Sequence, residues 1–207
     1  MIRNWRSAGA LLALLLASPA LLAAQDAGDD GDLLPVGLGN LSQDDLAIRL
    51  RTDALEIRFV PLDERMIRLL APDAYRSLHA LRMRERSDID SISREHSISA
   101  PSAVLVSFYA RQTGTRFQPE LLTVGLRSRQ LYPLGIIPLN PAFSSQQLDL
   151  RQPATAIYLY EDELPIAEPF TVTYGGVTSN EWQRKLPTLE RERARIGSRV
   201  ARDTTPR

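Results

Sequence analysis

Between Ala103 and Tyr174 short apolar segments recur about every 10 to 15 residues, each bounded by turn-forming residues. That rhythm leaves no room for the crossover helices of βαβ units and predicts an all-β sandwich. The run Ala103 to Ala110 is nearly continuous in apolar and aromatic residues, as in a strand covered on both faces. After the turn at Gln112-Thr113-Gly114, Leu122, Val124 and Leu126 share one face of a second strand. Leu131 to Leu139 carries Pro133 and Pro138, which confine it to an edge or an irregular strand. Leu148 with Leu150, Ala154 to Tyr160, and Phe170 to Tyr174 complete the set.

Upstream, Leu46, Ile48 and Leu50 alternate with polar or small residues, and Leu55, Ile57 and Phe59 do the same after a short polar link. Two period-2 segments so connected predict a β-hairpin with Arg49, Glu56 and Arg58 on its outer face. From about 62 to 94 the period becomes helical. A short helix through Met66 and Leu70 is expected to stop at Pro72, with Asp73 capping a second one. The stretch Arg84 to Ser93 is polar enough to fray or form a loop. Past Gly175-Gly176 come Thr178 and Glu181 at capping-box spacing, Pro187 at a possible helix start, and a thin seam of Leu189, Ile196 and Val200. The domain plan is therefore an export signal at 1–24, an acidic flexible leader at 25–43, a β-rich domain at 44–177 with a helical insertion at 62–94, and a basic, marginal helical tail at 178–207.

The export reading rests on Arg3 and Arg6 ahead of an apolar run from Ala8, then small residues to Ala24 and an abrupt polar turn at Gln25-Asp26. Ser18-Pro19 interrupts the run, which is shorter than the roughly 20 apolar residues of a spanning helix. Cleavage is expected after Ala24, with an uncleaved anchor as the rival, and no spanning segment is expected in the mature chain. The leader mixes Asp26, Asp29, Asp30 and Asp32 with Gly28 and Gly31 but lacks the ligand spacing of a calcium loop. There is no cysteine, which excludes disulfides, thiolate chemistry and a lipidated N-terminal cysteine. The 25 basic and 25 acidic residues balance; without Arg3 and Arg6 the count is 23 against 25, which gives no sign of nucleic acid or a membrane as a partner.

The stretch Ala103 to Tyr174, with Phe117-Gln118-Pro119-Glu120-Leu121, Ile137-Pro138-Leu139 and Ile157-Tyr158-Leu159-Tyr160, resembles immunoglobulin-like sandwiches of bacterial envelope proteins. The likeness covers about a third of the chain and lacks the paired cysteines and core tryptophan of true immunoglobulin domains. It implies a fold and assigns no functional residue.

Chemistry-bearing groups are few. His79 and His96 are the two histidines; the first stands among arginines in a helical pattern, the second beside Glu95 in a polar link. Both read as surface residues, and no zinc-protease helix, nucleophile elbow or phosphate-cradling loop occurs. Glu161-Asp162-Glu163 reads as an exposed turn rather than as the six or more oxygens a calcium ion needs. Tyr109, Tyr132, Tyr158 and Tyr160, with Arg111, Arg116, Arg127 and Arg129, could line a sheet face, though alternation assigns such aromatics to the core.

These observations point away from catalysis, with no cofactor and no metal ligands. The expected function is an exported, periplasmic or secreted, non-catalytic module that binds an envelope protein or an anionic envelope surface. The residues expected to make that contact are Arg184, Lys185, Arg191, Arg193, Arg195 and Arg199 in the basic tail. The alternative is a hydrolase of envelope glycan or peptide using a carboxylate pair, which folding rather than spacing would assemble.

Overall fold

The first half of the chain forms α1 (Gln43–Leu46), β1 (Ile48–Arg51), β2 (Leu55–Pro61), α2 (Glu64–Ile67), α3 (Pro72–Arg84), α4 (Arg86–Glu95) and β3 (Ser102–Ala110). The second half adds β4 (Thr115–Arg116), β5 (Leu122–Gly125), β6 (Gln130–Leu131), β7 (Pro133–Pro138), α5 (Pro141–Ser145), β8 (Gln147–Leu148), β9 (Ala154–Tyr160), β10 (Thr171–Tyr174), β11 (Val177–Ser179) and α6 (Glu181–Thr204). This computed structural model describes residues 33–204, all within one compact unit, Gly31–Arg207. The expected export signal and the first part of the leader lie outside the described residues.

Five strands form an antiparallel sheet in the order β1-β2-β3-β9-β7, and four more form a second in the order β11-β10-β5-β6. The β1–β2 hairpin pairs Ile48 with Phe59 and Leu50 with Ile57, and all four are buried. Central β3 is paired on both sides, by β2 and β9, as its near-continuous apolar run requires. Pro133 and Pro138 lie in β7, an edge strand whose register shifts between Pro133 and Gly135. The proline placement follows from the missing N–H, which a central strand would need for its ladder.

One face of the larger sheet meets the smaller sheet through aromatic side chains. Phe108 on β3 packs against Phe117 (4.5 Å between centroids) and Tyr174 on β10 (5.7 Å), and Phe59 packs against Phe170 (6.4 Å). Tyr158 and Tyr160 are fully buried, and their hydroxyls donate to the carbonyls of Pro119 (3.1 Å) and Leu122 (3.4 Å). Burial pushes both phenols well above the ordinary tyrosine range. On the opposite face α4 covers β7, where Gly135 leaves space for the Ile92 side chain: a Cβ there would stand 2.7 Å from Cγ2.

The architecture is mixed rather than mostly β, with about 36% helix and 32% strand. The excess helix comes from segments whose polarity hides their packing. The stretch Arg84 to Ser93, expected to fray or form a loop, lies almost wholly in α4, where Ile92 docks on Gly135 and the Ser93 hydroxyl finds an acceptor in the Ile89 carbonyl (2.7 Å). Leu46 ends α1 instead of opening the hairpin, because Asp45 accepts from the N–H and hydroxyl of Ser42 (2.8 and 2.7 Å). Pro72 opens α3 rather than ending α2, with Ala71 as the cap and Asp73 in the first turn. A proline at that position loses no helical bond.

Candidate functional site: the outer face of the C-terminal helix

Trp182, Leu189 and Ile196 recur at seven-residue spacing on α6 and are buried. Leu186 and Val200 are partly buried beside them, so the expected thin seam is a full packing stripe. The helix begins at Glu181, six residues before Pro187, which therefore sits inside it rather than at its start. Trp182 packs tilted on Phe170 (5.1 Å between ring centroids) and anchors the first turn of a helix that continues through a proline. Glu181 accepts the backbone N–H of Arg49 (2.7 Å), so a carboxylate caps the free edge of β1.

The inner flank of α6 holds the segment that precedes α1. Glu192, only 8% exposed, accepts from the backbone N–H of Asn40 (2.7 Å). It also accepts from Arg195 through Nε (2.8 Å) and a terminal nitrogen (2.6 Å). The hydrogen bonds from Arg195 hold the Glu192 carboxyl below the ordinary glutamate range, against the opposing effect of burial. The same guanidinium donates to the Leu38 carbonyl (2.5 Å). Leu41 bridges Leu70, and Gly39 passes so close to Leu69 that a Cβ would overlap its carbonyl group. Residues 33–42, expected to be part of a flexible leader, thus form a strap laid between α2 and α6.

The six residues expected to contact a partner divide by helix geometry. Lys185 donates to the Asp44 carbonyl (2.8 Å) and lies 3.5 Å from Glu181; Arg193 turns inward to the Met66 sulfur (3.7 Å); Arg195 serves the strap. Arg184, Arg191 and Arg199 are exposed. Arg202, which the expected set omitted, joins them. At about 100° per residue, Arg191, Arg195, Arg199 and Arg202 fall within an arc of about 80°, and Arg184 extends the row beyond the proline. None of Arg184, Arg191, Arg199 and Arg202 makes an ion pair with a described residue. Helical spacing from Arg184 through Arg191 and Arg195 is the sequence signal that would have found Arg202.

A second polar cluster lies on α2 and α3. Glu64 accepts from Arg68 (2.8 Å) and Tyr75 (2.9 Å), and His79 Nδ1 stands 3.4 Å away while stacking on Tyr75. Burial alone would raise the Glu64 carboxyl, but the bonds from Arg68 and Tyr75 hold it below the ordinary range. Arg68 continues to the Leu34 carbonyl (2.9 Å), so this cluster also fastens the strap. His96 ends α4, exposed, away from that set. A cavity of about 420 Å³ lined by Asn40, Ser42, Gln43, Asp73 and Ser77 includes none of Glu64, Tyr75 or His79. In the acidic turn Asp162 pairs with Arg129 and Glu163 with Arg65. Among the described residues no group of three or more His, Cys, Asp and Glu could hold a metal ion. Of the tyrosines considered for a sheet face, Tyr158 and Tyr160 are core residues, whereas Tyr109 (38%) and Tyr132 (64%) are exposed.

What the arrangement offers chemically is a row of exposed guanidiniums on a helix packed into the core, while the more buried carboxylates Glu64 and Glu192 are already engaged by arginines of their own. No family model, curated protein or solved structure matches the chain.

Proposed function

We propose that the chain is an exported, non-catalytic β-sandwich module that binds another component of the cell envelope through the outer face of α6. The supporting observation is the row Arg184, Arg191, Arg199 and Arg202, exposed and without ion pairs to described residues, on a helix whose other side is fixed in the core. The helix axis fixes the common alignment of these guanidiniums, while each side chain still gives up rotamer freedom on meeting an acidic partner. The two antiparallel sheets joined by an aromatic interior support the sandwich reading. The charged start and apolar run of residues 1–24 support export.

The test is retention of the mature chain on native envelope fractions, comparing the wild type with a variant carrying Gln at 184, 191, 199 and 202. The expected result is salt-sensitive retention by the wild type and at least a tenfold loss in the variant, with unchanged circular dichroism. Equal retention of both proteins would contradict the proposal.

A further inference from the structure

We infer that the component met by α6 is the surface of an anionic lipid bilayer, gripped jointly by the arginine row and by the turn at residues 35–38. The inference rests on the reading of α6 as the binding face and names its partner. The strap meets α6 along the flank that adjoins the row, where Arg195 donates to the Leu38 carbonyl and Glu192 accepts from Asn40. Pro35, Val36 and Gly37 are exposed, and Val36 retains 49% of its surface in solvent. Gly37, at φ +87°, shapes a turn that L side chains rarely adopt. Leu34 and Leu38 on either side pack on the core, so the valine is presented from a fixed base.

An exposed branched aliphatic side chain two residues from the carbonyl that Arg195 holds, on a strap fastened to a helix that carries a line of cations, is the composition of an interfacial contact. The cations meet phosphate headgroups while the apolar tip enters the boundary with the acyl chains. The row from Arg184 to Arg202 spans about 27 Å at 1.5 Å per residue. A fluid leaflet can bring a phosphate to each of its guanidiniums, whereas a partner of fixed charge spacing would need matching register. No helix among the described residues is long and apolar enough to cross a membrane, so the contact would be made at the surface.

The experiment is co-sedimentation of the chain from Gln25 onward with vesicles of phosphatidylcholine, alone or containing phosphatidylglycerol. The described part of this chain is one compact unit. It is compared with R191Q/R199Q/R202Q and with V36S, each checked for unchanged thermal unfolding. The expected result is binding only to vesicles containing phosphatidylglycerol. The triple variant should lose about 100-fold in partitioning, at about fivefold per removed charge. V36S should lose about threefold to tenfold. Undiminished binding by V36S would overturn the joint contact. If the wild type ignores both vesicle types yet its arginine row still governs retention on envelope fractions, the bilayer inference falls and the binding face stands. If the triple variant is retained everywhere like the wild type, both fall.

Discussion

Glu192 is the residue through which the strap and the C-terminal helix depend on each other. Its carboxylate joins Asn40, 152 positions earlier in the chain, to Arg195 on its own helix. Glu192→Gln leaves the Arg195 guanidinium with a weaker acceptor, and an expected loss of about 2 kcal/mol should appear in urea unfolding at neutral pH. The pH dependence has a definite sign. Glu192 and Glu64 both have folded pKa values below the ordinary one. Their contribution is therefore complete above roughly pH 4.3 and disappears as pH falls through the lower folded values. Between about pH 6 and pH 3, Glu192→Gln should lose less stability than the wild type. A steric contrast tests the strap independently. Gly39→Ala drives a Cβ into the Leu69 backbone and should cost about 3 kcal/mol or more, whereas Gly135→Ala meets the Ile92 side chain rather than backbone and should cost less, about 1 to 2 kcal/mol. Urea midpoints of the two variants check the order.

At the scale of elements, α6 is a structural member and not an appendage. Trp182→Ala removes a fully buried side chain that packs on Phe170, and a loss of about 3 to 5 kcal/mol is expected in thermal unfolding. Deleting residues 184–207 would remove Leu189, Ile196 and Glu192 with the arginines, and should destroy cooperative unfolding. Neutralising individual arginines therefore tests binding where truncation does not. Much of this element was hidden in the chain. The strands β3, β9 and β10 were legible because their own residues carry the period, and Pro133 and Pro138 announced an edge through a local chemical fact. The strap could not be read, because its partners lie 152 and 157 residues away and its own residues carry no period. Pro187 looked like a helix start because the burial of Trp182, which overrides it, is a tertiary event. For the same reason six basic residues of one tail looked alike, although Lys185, Arg193 and Arg195 are committed to the fold.

For the whole molecule, the protected edges and the arginine row describe one organisation. Glu181 closes the β1 edge, prolines blunt the β7 edge, and the exposed cations gather along one side of α6. The balanced total charge gives no warning of that local concentration of cations. In the function proposed for this chain the outer arginines, and not the basic tail as a whole, make the contact. The most direct measurement is the salt dependence of retention on envelope fractions, for the wild type and for Gln substitutions of Arg184, Arg191, Arg199, Arg202 and the inward Arg193, one at a time. Each outer substitution should lower retention and flatten its salt dependence by a similar step, while Arg193→Gln leaves both unchanged. Retention that is indifferent to the outer four, or as sensitive to Arg193 as to them, would contradict the account.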